Sequence, residues 1–376
     1  MHPYFSESEF DRRHETAKKI MAENGLDALL VTGEENYTYF TGAVSLVPWL
    51  SFTRPVFCLV PLEGEPIVMV NKALEESTRA ICYVRDVRVY SQTSGLHVDL
   101  AVKLVREAKL RGRKIGTELG YEQRFGISFN DYEAIRHALP DVDFQDASTL
   151  LWKLRMKKSK EEIGLIQRAC EITAKARQRC LDELREGATE RDVGRVFRRN
   201  MIDLNADDVA FVMVNSFLPF QLNRHLQRGS LIYLDGGAKI GGYCCDFSRL
   251  ATLGPSSESQ RSLHAKLVRI NDTMSKQLRP GVKCSEIFHV YVEAIRDAGL
   301  EGASVGRVGH GQGMLVTEPP SLSADDDTIL EPGFVVSTEP SIATNGFYII
   351  EDVHAITEDG KMTLTNETRD LRELLA

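Results

Sequence analysis

The stretch LIYLDGGAKIGGYCCDFSRL, residues 231–250, constrains this chain more than any other. Two runs of strand-forming residues meet at the Gly-Gly of position 241, a pair suited to a tight hairpin turn. Both runs are otherwise fit for burial, yet each carries an aspartate, Asp235 and Asp246, eleven positions apart. A turn near Gly241 sets these two side by side on neighbouring strands, where like charges repel. The chain repeats the arrangement with Glu339 in GFVVSTEP and Glu351 in FYIIEDV, twelve apart about Asn345-Gly346. Four carboxylates in apolar surroundings are costly unless protonated or neutralised. Lys239 and Arg249 could supply only part of that charge. Divalent ions answer the problem more simply, because carboxylate oxygens bind hard cations and two ions can share bridging carboxylates.

Composition narrows what surrounds such a site. With 376 residues, 43% of them hydrophobic and 27% charged, the chain is expected to be globular with two cores. It has no run of 18 apolar residues, and MHPYFSESEFDRRHE is acidic and polar where a secretory signal needs a basic then an apolar segment. A cytoplasmic location is therefore expected, with no membrane partner. Seven cysteines without C-x-x-C spacing argue against a disulfide framework and a thiolate zinc site. A net charge of −8 leaves no electrostatic footprint for nucleic acid.

The pattern divides near residue 155. In the first part, Ser6 and Glu9 predict a capping box for a helix through about Glu23, which Asn24-Gly25 stops. LDALLVTG reads as a buried strand, VFCLVPLEGEPIVMV as a hairpin about Glu63-Gly64, VRDVRVY as a strand, and His97 to Leu110 as a helix leading into KIGTELG. Residues 1–155 are thus expected to form an α/β domain. Ser159 and Glu162 form a second box, opening an amphipathic helix that runs to Gly187. Helices near 190–201, 257–278 and 285–298 alternate in blocks with antiparallel strands, so residues 156–376 are expected to be α+β.

VGHGQGM adds His310 among Gly309, Gly311 and Gly313, glycines that let the backbone bend and leave the imidazole unhindered. Taken together, the aspartates of LDGGAKIGGYCCDFSR, then GHGQG, STEP and IED, in that order, resemble the signatures of the pita-bread metallopeptidases: prolidase, aminopeptidase P, methionine aminopeptidase and creatinase. FSESEFDRR and LLVTGEENYTYFTG resemble the N-terminal domain of the prolidase, aminopeptidase P and creatinase branch. The resemblance implies a creatinase-like N-terminal domain and a pita-bread catalytic domain. It further implies that Asp235 chelates one ion, that Asp246 and Glu351 bridge two, and that His310 and Glu339 complete the second. The ions would be manganese, cobalt, zinc or iron. A water bridging them would be the nucleophile for an amide bond, with Glu339 taking and returning its proton. A small peptide or small amide is the expected substrate and a homodimer the expected assembly.

The departures from that family bear on substrate. TEPP supplies Thr317 where relatives carry a histidine, NSFLPFQLNRHLQRG offers Phe220 in place of a second one, and Ile349 stands where an arginine is common. Donors to the scissile carbonyl are therefore altered. The reading is a prolidase-like or aminopeptidase P-like hydrolase. The alternatives are another enzyme on the same scaffold, either an ectoine-type or other small-amide hydrolase or a dimethylsulfoniopropionate-type lyase, or a silent binding module. The lyase would carry an aspartate where Gly237 stands. Three further residues each have two readings: Trp49 as core packing or as a reach into a neighbouring subunit's pocket, Arg54 as a surface ion pair or a partner for a substrate carboxylate, and Tyr348 as core or pocket lining.

Overall fold

In the computed structural model the described residues are 3–43, 53–110, 112–215, 223–302, 306–343 and 346–374. The chain separates into two compact units, Met1–Arg155 and Met156–Ala376.

The first unit opens with the helix Glu7–Glu23, whose N-cap Ser6 accepts a hydrogen bond from the Glu9 amide. Only half of the expected capping box forms. The Glu9 carboxylate turns instead to the guanidinium groups of Arg12 and Arg13, because a charge-assisted pair outweighs a bond to one neutral amide. A six-stranded sheet follows, built from β1 (Ala28–Val31), β2 (Phe57–Pro61), β3 (Ile67–Asn71), β4 (Asp86–Tyr90), β5 (Lys114–Thr117) and β6 (Asp143–Asp146). Its spatial order is β4-β3-β2-β1-β5-β6. β1, the run ALLV, is buried at every position, as a central strand covered on both faces must be. Its pairing is antiparallel to β2 and parallel to β5, so the sheet is mixed and the unit is α/β.

The second unit begins with the helix Lys160–Glu183 under a complete Ser159/Glu162 capping box. It ends at Glu183 rather than at Gly187. Leu184 already has extended geometry, and Gly187, with φ of 84°, serves the turn beyond. Thr189/Asp192 and Ser257/Gln260 make two more complete boxes, for the helices Glu190–Asp203 and Glu258–Ser275. One sheet holds β7 (Asp208–Val214), β8 (Leu231–Ile240), β9 (Tyr243–Cys244), β10 (Phe247–Leu253) and β18 (Arg372–Leu374). A second holds β11 (Arg307–Gly311), β12 (Glu318–Ser323), β13 (Val335–Thr338), β16 (Asp352–Thr357) and β17 (Gly360–Thr363), while β14 (Ser341–Ala343) pairs with β15 (Phe347–Ile349). Leu267, Ile270 and Met274 pack from the 258–275 helix against Tyr233 and Leu250 of the first sheet and Val308 and Val336 of the second. That apolar cluster joins the two sheets, so groups on both can be held at fixed separations.

Candidate metal centre

Both acidic hairpins hold carboxylates where their ladders are broken. In the first, Gly241 and Gly242 have φ of 58° and 87°, the left-handed pair that a two-residue turn requires. Lys239 then faces Cys244, and beyond a gap Phe247 faces Gly236 in the same register. Asp246 lies in that gap, across from Gly237, with Asp235 diagonal to it. In the second hairpin, Thr338 faces Asp352 and Ser341 faces Ile349, again in one register, so Glu339 and Glu351 oppose each other across the interruption. His310 stands on β11, and the Glu339 amide donates to the Val308 carbonyl at 2.8 Å, which draws the second hairpin against that strand.

The five residues that the sequence selects thus come from two sheets of one unit. Ligand atoms of Asp246, His310 and Glu351 all lie within 4.8 Å of one another, and all three residues are buried. His310 Nε2 is 3.5 Å from Asp246 Oδ2, 3.7 Å from Glu351 Oε1 and 4.0 Å from Glu339 Oε1. These distances are too long for hydrogen bonds and match donors arranged around a common cation. His310 Nδ1 sits 3.0 Å from the Gly311 carbonyl, so Nδ1 carries the proton and the Nε2 lone pair faces the carboxylates. Burial lowers the His310 pKa to about 4, with the Arg307 charge adding to the effect, which keeps the ring neutral and able to coordinate.

The carboxylates are shifted the opposite way. Burial raises Asp246 and Glu351 well above the usual range, and the neighbouring carboxylates push both further. Glu339 is raised to about 7, by burial first and then by Asp235, against the pull of Arg307. Burial also raises Asp235, against the hydrogen bond that it accepts from the Tyr233 phenol. Among the described residues, Asp235 Oδ1, Asp246 Oδ1 and Glu351 Oε1 are buried without a hydrogen-bond partner, a rare condition for carboxylate oxygens. Hard oxygen acceptors lacking donors, beside a neutral imidazole, fit divalent ions.

Arg249, which could have supplied part of the neutralising charge, turns its guanidinium elsewhere. Its Nη2 donates to Asp352 Oδ1 at 2.7 Å and its Nη1 to the carbonyls of Ser248 and Glu351 at 2.8 and 2.7 Å. The guanidinium therefore joins the two hairpins through their backbones. Arg307 Nε lies 3.7 Å from Glu339 Oε1, but one guanidinium cannot balance four carboxylates.

The substrate-side residues are placed less uniformly. Thr317 is half-buried, and its hydroxyl accepts from Arg307 Nη2 at 3.3 Å, which sets it near the Glu339 side of the centre. Tyr348 is 1% exposed and packs within the apolar cluster. Arg54 lies in the first unit, where its Nη1 donates to the Thr53 carbonyl at 2.9 Å. Trp49 and Phe220 lie outside the described residues. A side chain at Gly237 would put Cβ 1.7 Å from the Cys245 carbonyl oxygen, so an aspartate cannot stand there without moving the hairpin. Tyr233, not singled out from the sequence, donates its phenol to Asp235 Oδ2 at 2.6 Å. Its signal was there to read: residues two apart on a strand share a face.

Comparison with known proteins agrees with this architecture. A family model described as "Metallopeptidase family M24" matches residues 164–360, and "Creatinase/Prolidase N-terminal domain" matches residues 13–157. The chain is 28% identical over 371 residues to the Xaa-Pro dipeptidase of Pyrococcus furiosus, covering 96% of this chain and 99% of that one. It is 27% identical to the Xaa-Pro dipeptidase of Lactobacillus delbrueckii subsp. lactis, with 94% and 96% covered. Among solved structures, the prolidase from Pyrococcus horikoshii OT3 superposes with a TM-score of 0.82 at 25% identity, covering 96% of this chain and 99% of that one. The Xaa-Pro dipeptidase from Bacillus anthracis shares the fold with a TM-score of 0.85 at 24% identity, covering 97% and 100%.

Proposed function

The chain belongs to metallopeptidase family M24, and on that premise we propose that it is a two-metal dipeptidase hydrolysing the amide bond of Xaa-Pro dipeptides. Catalysis is assigned to residues 156–376, with residues 1–155 as the creatinase-like N-terminal domain. Asp235, Asp246, His310, Glu339 and Glu351 would hold two divalent ions, of manganese, cobalt, zinc or iron. When bound, such ions lower the pKa of water and polarise the amide carbonyl. The observation that carries this reading is the convergence of buried carboxylate oxygens without donors on the His310 lone pair.

The chain's own residues have separable tasks. His310, locked by its Nδ1 bond to the Gly311 carbonyl, presents Nε2 at a fixed position. Glu339, with an 18% exposed side chain against 2% for Glu351, is the carboxylate on the more open side. It would accept a proton from water at Oε1 and return it to the departing amine. Thr317 would offer its hydroxyl toward the scissile carbonyl in place of the family histidine. The relatives named as Xaa-Pro dipeptidases, aligned over nearly their whole length, support the substrate class. A homodimer is proposed with it, and light scattering would test the mass.

The decisive experiment is chelation followed by reconstitution with manganese, then assay on Xaa-Pro dipeptides, longer peptides with proline second, ectoine and dimethylsulfoniopropionate. Turnover of the dipeptides alone, lost on chelation and restored by manganese, is expected. Manganese binding with turnover of ectoine but no peptide would replace the substrate class, and turnover insensitive to chelation would overturn the mechanism.

A further inference from the structure

The ligands come from two sheets, so something must fix the distance between Asp246 on one and His310 on the other. Asp246 falls between β9 and β10, in the ladder gap, where its main chain needs partners from elsewhere. Gln312, two residues beyond His310, provides them. It is 0% exposed. Its Oε1 accepts from the Asp246 amide at 2.9 Å, and its Nε2 donates to the Asp246 carbonyl at 3.4 Å. The side chain therefore acts as a peptide group inserted beside the hairpin at the residue whose carboxylate faces the centre. Its own amide donates to the Val335 carbonyl of β13 at 3.2 Å, which anchors it to the second sheet. Next to it the Gly313 carbonyl accepts from the Cys244 amide at 2.7 Å, extending the same seam.

We propose that Gln312 is a positioning residue of the metal centre. Its amide ties the Asp246 main chain to the segment bearing His310 and sets the separation of those two ligands before any cation binds. The inference rests on the metal-centre reading above and deepens it. A leucine or methionine of similar bulk would fill the same volume but leave the hairpin gap unanchored. Only the amide has an acceptor and a donor spaced to take both main-chain groups of one residue.

Isothermal titration of metal-free protein with manganese chloride tests this on Gln312→Met, wild type and a control, Met201→Ala. The control opens a cavity in the core of the same unit at a residue the site does not use. Gln312→Met is expected to weaken manganese binding roughly 10- to 100-fold, as loss of outer-shell partners does, and to shrink the metal-induced rise in Tm. Met201→Ala is expected to lower the metal-free Tm while keeping wild-type affinity. Gln312→Glu keeps the acceptor for the Asp246 amide and should lose less affinity than Gln312→Met; it also serves if the methionine variant does not fold. Affinity of Gln312→Met within twofold of wild type, or an equal loss in Met201→Ala, overturns the proposal. Failure of wild type itself to bind manganese would instead sink the metal-centre reading on which it stands.

Discussion

Glu118 in the first unit and the acidic cluster in the second are both buried carboxylates, yet they are treated in opposite ways. Glu118 is 2% exposed and lies at the start of the helix Glu34–Thr41. Its Oε2 accepts from the Thr32 amide, the Thr32 hydroxyl and the Gly33 amide at 2.7, 2.8 and 2.9 Å, and its Oε1 from Asn36 Nδ2 at 2.7 Å. Donors cover both of its oxygens, and the helix N-terminus favours its charge. Asp235, Asp246 and Glu351 each leave an oxygen buried and unsatisfied among the described residues. Burial therefore does not distinguish a structural acid from a functional one; the supply of donors does. A carboxylate fully served by the fold holds the fold together, whereas the oxygens left short in the second unit are those that fit the proposed cations.

The largest expected effect that would break this contrast is at Asp246. Asp246→Asn should cut kcat/KM by about 10³-fold or more, equivalent to several kcal/mol of lost charge stabilisation. It should also abolish the manganese-induced rise in Tm. Retention of both would place Asp246 with Glu118 among structural acids. Next in size, Glu118→Gln turns an amide against backbone donors and should cost about 1–3 kcal/mol of stability. Thermal melts should show that cost with the manganese-induced shift unchanged, and a variant losing manganese affinity would tie Glu118 to the centre.

The smallest effect is a pH dependence of the chelated protein. Histidines in unfolded chains are half-protonated at about pH 6.5, whereas His310 and His354, lowered to about 4 and about 3, are neutral in the folded one, a contribution that wild type and Glu339→Gln share. The cluster carboxylates are raised in the folded state, Glu339 to about 7, so there the unfolded state binds fewer protons. Stability they confer when protonated is lost as pH rises through the folded values. Differential melts should therefore show the metal-free Tm of wild type falling relative to that of Glu339→Gln between pH 6.5 and 8, and manganese stabilising more at pH 8. Equal slopes in the two proteins would remove Glu339 from the titrating set.

Much of this was legible in the linear chain. Ser159 with Glu162 announces a helix start because capping involves residues three apart, and ALLV reads as an interior strand because its apolar run is unbroken. The opposition of Glu339 and Glu351 follows from turn position and the two-residue period of strands, whereas Asp235, expected beside Asp246, pairs with Ser248 and stands diagonal to that aspartate. Other parts were not legible. The Glu9 carboxylate left its expected cap for two arginines, and Arg249 spends its guanidinium on Asp352 and four backbone carbonyls rather than on the acidic cluster. Neither choice can be read from spacing, since each is a competition among partners delivered by the fold.

The sequence by itself determined the kinds of candidate ligand, their order and the hairpins that carry them, because turns, caps and strand alternation act over a few residues. Only the tertiary structure decided which buried oxygens lack donors, that His310 aims Nε2 at them, and that Gln312 and Arg249 link the two sheets behind them. Whether a buried charge is satisfied depends on groups that arrive from remote parts of the chain, and only the packed core brings them within hydrogen-bonding reach.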